Sequence, residues 1–136
     1  MGTFGIEEAA HLLRRATMGA TYAQIQDAVS NGLDATVTQL LAPLPLPAPP
    51  INYRDTNDPN LPLGTTWVDV PYNPNGGGRG DRRDSFKAWA MFLMVEEDLS
   101  IREKMTLFWH NHFVVDMIKT KDPKFRYPYI LSLIHI

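Results

Sequence analysis

No cysteine occurs among the 136 residues. That excludes a disulfide framework, a thiolate zinc site and a cysteine nucleophile. Nor is there an excess of one charge, since 13 basic and 15 acidic side chains leave a net −2. Generic nucleic-acid binders carry a basic surplus, so that partner class is set aside. No run approaches the roughly 18 apolar residues of a membrane span. The opening residues, Met1 to Glu8, lack the basic and apolar regions of a signal peptide. Ile6 stands where a myristoylation signal wants Ser or Thr. The cytoplasm is the default compartment, export stays open, and nothing assigns a cofactor.

Proline, by contrast, is abundant and unevenly placed. Nine of the 11 prolines lie between Pro43 and Pro74. The stretch Pro43 to Pro50 cannot donate a helical ladder and should run extended. It leads into a polar, turn-rich run from Asn52 to Asn60 and ends at Gly76 to Gly80. Trp67 to Val70 offers at most a short extended piece. The segment 43–83 is therefore expected to be an irregular Pro/Gly-rich loop or linker. At roughly forty residues it far exceeds the usual four to six between elements.

Both flanks read as helix, so the expected fold is all-α. Thr3 or Gly5 caps a first helix through Ala16, with Ile6, Ala9, Ala10 and Leu13 on one face. Thr21 to Gln24 is a capping box opening a helix that Gly32 ends. Asp34 caps a third, short helix that Pro43 stops. Residues 1–42 thus form a three-helix segment. Asp81 or Asp84 starts a fourth helix carrying Phe86, Trp89, Ala90, Leu93 and Met94. Ser100 to Glu103 is a second capping box, and a fifth helix runs to about Ile118. Residues 84–122 form this helical hairpin, which Pro123 closes.

The fifth helix is apolar nearly all round. At 100° per residue, Ile101, Met105, Phe108 and Val115 make one stripe, which Trp109 and Phe113 widen. Leu107, Val114 and Ile118 lie on the other side. Such a helix must be surrounded by protein or lipid, and its polar residues argue against lipid. The other helices are thin wrapping for it. The expectation is that these are the N-terminal helices of a larger helical protein, with 123–130 starting a remainder absent from this chain. The final hexapeptide, Leu131 to Ile136, reads as the translation of a mosaic-end adapter from transposase-based sequencing libraries. Residues 131–136 are accordingly expected to be adapter read-through, which removes His135 from catalytic arguments.

Two segments carry a family resemblance. Ala9 to Thr21, AAHLLRRATMGAT, resembles the opening motif of the bacterial domain of unknown function 1800 family. Arg102 to Phe113, REKMTLFWHNHF, resembles its central motif without a gap. Met18 stands where the family usually has Phe, and Asp116 where a small hydroxyl residue is common. The resemblance implies a mostly helical protein several hundred residues long. It also implies an exported partner, because the family's genes often neighbour a secreted sulfatase-like family.

Five residues are candidates for chemistry. His110 and His112 invite a metal reading, since imidazole is a common transition-metal ligand. Two helical residues that are two apart point about 200° apart, however, so the pair cannot chelate one ion together. The plainer expectation makes His112 a core imidazole hydrogen-bonded to a partner beyond this chain, and His110 a packing contact near Glu103 and Thr106. His11 lies four residues from Glu7, and with Arg14 could form a general base beside an anion clamp. For one helix, an exposed charged face is the simpler account. Lys119, Lys121, Lys124 and Arg126 read as a solvated basic loop, and Trp89 and Trp109 as packing anchors.

Two functions remain. One is a binding or assembly module with a protein partner, in which the Pro-rich segment serves for docking. The other is a hydrolase-type or metal-assisted enzyme that uses the His110/His112 region, Glu103, His11 and Arg14 with residues beyond this chain.

Overall fold

A computed structural model describes residues 4–54, 60–73, 78–96, 98–113, 115 and 122–134. Among these residues the protein is all-α. It holds six helices and no strand, with one isolated antiparallel bridge between Ile51 and Thr66. Among the described residues no helix is long and apolar enough to cross a membrane.

Helices α1 (Ile6–Ala16), α2 (Tyr22–Asn31) and α3 (Leu33–Leu40) pack in sequence. Gly5 is the N-cap of α1, and its N–H donates to Glu8 Oε2 at 3.0 Å. The predicted Thr21/Gln24 capping box opens α2. Gly32 both ends α2 and caps α3, so the cap is Gly32 and not the expected Asp34. Its φ of 82° with an extended ψ of 168° turns the chain between two helices that this single residue separates. Thr36 secures this corner by donating to the Ala28 and Gly32 carbonyls. Ala9, Leu13, Ala16, Ala28 and Leu40 form the first core cluster. Ile6, expected in that stripe, is 52% exposed.

Between α3 and α4 the described residues are irregular but packed. Leu61 and Trp67 are buried and join Phe86 and Trp89 in a second core cluster. The Trp89 indole N–H donates to the Ala48 carbonyl at 2.7 Å, and Arg102 Nη1 to that of Pro45 at 2.8 Å. The extended proline run is thereby tied to two helices. Asn52 closes a local turn, donating from Nδ2 to the Leu61 carbonyl and accepting at its own carbonyl from Gly64.

Helix α4 (Arg79–Glu96) starts before the expected Asp81, so Arg79 and Gly80 are helical and not linker. Arg82 explains the earlier start. Its guanidinium donates to the Val70 and Pro71 carbonyls at 2.6 and 3.0 Å, which docks the first turn onto the preceding segment.

Helix α5 (Arg102–His112) is shorter than the sequence suggested, because Phe113 is its C-cap and Val115 lies outside it. The β-branched pair Val114-Val115 is poor helix-forming sequence. Residues 116–118 of the expected helix lie outside the described residues. At the other end, Ser100 Oγ accepts from the Arg102 N–H at 3.1 Å, while Glu103 is buried and pairs with Arg102.

Helix α6 (Pro123–Ile134) was not foreseen. Pro123 opens a helix as well as following one. Proline suits the first helical position, and Asp122 Oδ1 accepts from the Lys124 N–H at 2.9 Å as its cap. Leu131 and the buried Leu133, from the expected adapter tail, continue this helix and pack on its neighbours. His135 and Ile136 lie outside the described residues.

The two faces of α5 as a candidate functional site

Helix α5 puts different chemistry on opposite sides. Glu103, Thr106, Leu107 and His110 recur at helical spacing and line a cavity of about 340 Å³ between α4, α5 and α6. Phe86, Trp89, Leu93 and Met94 of α4 supply much of its apolar wall, and Arg126, Tyr129 and Ile130 of α6 close it. The buried residues of α5 are polar, Glu103 and Thr106. Of the apolar residues of this helix, Leu107 shares that wall, whereas Phe108 stands exposed.

The polar groups at this wall are held in place. Glu103 is 2% exposed, with Oε1 lying 3.4 Å from Arg102 Nε. Thr106 Oγ1 donates to the Arg102 carbonyl at 2.9 Å. The His110 ring lies 6.0 Å from the Tyr129 ring at a steep angle, and its Nδ1 is enclosed without a hydrogen-bond partner. Tyr129 donates its hydroxyl to the Phe113 carbonyl, and burial pushes its pKa upward. Arg126, expected on a solvated loop, is 3% exposed at the cavity wall. Lys119 and Lys121 of that cluster lie outside the described residues.

The opposite face is aromatic and open. Phe108 stacks on His112, and Trp109 stacks on Phe113 at 5.6 Å and 14°. Phe108 is 55% and Phe113 51% exposed. His112 is exposed, with no core partner among the described residues, and Trp109 is half-buried outside both core clusters. Alongside runs a groove of about 480 Å³. Leu41, Leu44 and Leu46 form one bank, Ile101, Met105 and Trp109 the other, and the end of α6 its floor. The expected envelope around α5 is absent from this side among the described residues.

The candidates therefore separate. The structure brings Glu103 and His110 to one wall and turns His112 to the other side. His11 and Arg14 lie exposed on α1, which contributes nothing to the cavity lining. Among the described residues no group of three or more His, Cys, Asp or Glu could hold a metal ion. Arg126 and Tyr129 are the wall residues that sequence reasoning missed. The pair Asp122-Pro123, a cap followed by a first-turn proline, is the signal that could have revealed their helix.

A family model described as "Protein of unknown function (DUF1800)" matches residues 11–134. No curated protein matches the chain, and neither does a solved structure.

Proposed function

Because the chain belongs to the DUF1800 family, whose function is unknown, we propose a role read from its own surface: a helical binding or assembly module. Its docking site is the open face of α5 together with the leucine bank of the proline run. The occupant is an apolar segment of a protein partner that carries acidic residues at its edges. The observation that supports this most is the inversion of α5. Glu103 and Thr106 are buried while Phe108 and Phe113 stand in solvent. Exposed aromatic patches of this kind mark interaction surfaces. Charge argues for the acidic partner, since Lys104 lies one turn before Phe108 on the same side of α5. An exported partner accords with what the family resemblance implies.

The enzyme alternative draws on Glu103 and His110 sharing one wall. It needs a nucleophile or a further ligand besides them.

The test is affinity purification from the native host, then competition by a synthetic peptide copying the partner's acidic apolar segment. Capture should survive His110→Ala and fall at least about tenfold with Phe108→Ser or Leu46→Ser, as for anchors at an interface centre. Loss on His110→Ala with Phe108→Ser unaffected would instead favour the cavity. Self-association abolished by Phe108→Ser would put a second copy of this chain on the face.

A further inference from the structure

The two banks of the docking groove offer side chains and almost no backbone, and that limits the shape of what can lie between them. Given the docking site proposed above, we propose that its occupant binds as an amphipathic α-helix of the partner. The apolar row of that helix fills the groove, and its acidic residues run along the Lys104 edge.

One bank is α5. Its peptide groups are spent within the helix, and Ile101, Met105 and Trp109 line the groove at intervals of four residues. The other bank is the proline run. Pro43, Pro45 and Pro47 have no N–H, and the Pro45 carbonyl already accepts from Arg102 Nη1. Leu44 and Leu46 keep an N–H each. The alternating prolines favour a polyproline backbone, however, whose three-residue turn points those two groups in different directions. Neither bank is therefore a strand edge. The only β-bridge among the described residues joins Ile51 to Thr66, outside the groove lining.

An extended segment pressed between these banks would bury peptide groups without partners, the costliest way to lose water. A helix arrives with its backbone already paired and presents apolar residues at i, i+3 or i+4, and i+7. Laid along α5, it repeats with the same rise, so its apolar row stays in step with Ile101, Met105 and Trp109. The open side of α5 from Ile101 to Phe113 is roughly 18 Å long, which about 12 helical residues span. Lys104, one turn before Phe108, is in no ion pair among the described residues and sets the acidic flank.

Two displayed libraries of about 16-residue peptides test this, sized to exceed that span. One places Leu, Ile, Met and Phe at helical spacing on a background of Ala and Glu. The other holds the same composition in strict alternation. Both are selected against the whole chain, and the best peptides are synthesised for titration. Binders should come from the helical library and weaken at least about tenfold with Phe108→Ser or Leu46→Ser, two exposed positions. Proline in place of a central alanine of the peptide should weaken them at least about a hundredfold. Near-UV circular dichroism checks that both variants keep the fold. Alternating peptides that bind as tightly and respond to the same two variants would overturn the helix and leave the docking face standing. So would helical-library binders that tolerate the proline. If neither library gives a binder that responds to Phe108→Ser or Leu46→Ser, the docking face falls and the helix with it.

Discussion

The indole N–H of Trp67 donates to the hydroxyl of Ser85 at 2.9 Å, inside a core where Trp67 has no exposed surface. Ser85 in turn donates to the Ile51 carbonyl. One hydroxyl thus joins two points of the irregular segment to the first half of α4. Ser85→Ala would leave the indole N–H and the carbonyl unpaired, at a cost of about 1–3 kcal/mol. Trp67→Ala adds a cavity and should cost about 3–5 kcal/mol. Urea unfolding of the two variants and their double mutant checks this. The double mutant should fall short of the sum, because both remove the same bond.

Arg82 is a second anchor. It is fully buried, its guanidinium donates to two consecutive carbonyls, and it lies 4.3 Å from the Tyr72 ring centroid. Arg82→Met keeps the stem and leaves both carbonyls without that donor. A loss of about 2–4 kcal/mol is expected, with the start of α4 losing amide-exchange protection first.

Two glycines should respond differently to alanine. Gly32 has a φ of +82° and a ψ of 168° with open space around its Cβ position, so the penalty of Gly32→Ala is purely conformational, about 1–3 kcal/mol. Gly19 is equally open without a positive φ, and Gly19→Ala should be neutral or slightly stabilising, by up to about 1 kcal/mol. Thermal melts of both variants against the parent protein separate the two cases.

Alkaline pH should weaken the fold. Burial raises the Tyr72 pKa well beyond its ordinary 10.0, helped by the hydrogen bond to Asp122 and that carboxylate's charge, and opposed by Arg82 and Arg79. Tyr127 and Tyr129 are raised by burial as well. The folded state holds these phenol protons more tightly than the unfolded chain does. Stability is therefore fully present below pH 10.0 and falls as pH climbs toward the folded values. Unfolding midpoints between pH 8 and pH 11 should show the decline only near the upper end of that span. Tyr72→Phe should flatten part of it.

Much of the framework is legible along the chain. The periodicity around Leu13, the Thr21/Gln24 box and the Phe86/Trp89/Leu93 spacing each encode a helix through contacts three or four residues apart. The 200° between His110 and His112 likewise follows from helical geometry, and it is why they occupy opposite walls. Other features were illegible for an equally physical reason. Trp67 resembles a stray aromatic in a turn-rich run until Ser85, 18 residues later, gives its N–H a partner. Arg126 resembles a surface cation until α5 and α4 close over it. Pro123 satisfies the rules for both a stop and a start, and Asp122 decides between them only through its cap.

The sequence by itself determined an all-α chain, the Thr21/Gln24 cap and the relative bearing of every side chain within each helix, because these depend on neighbours within about one turn. Which side of α5 would meet the protein's interior was left to the tertiary structure. Its apolar stripe argued for the aromatic side, yet burial went to Glu103 and Thr106, since Arg102 meets the carboxylate and the threonine hydroxyl bonds back to the helix. Burial of a charge depends on partners brought from elsewhere in the fold, and spacing along the chain does not record them.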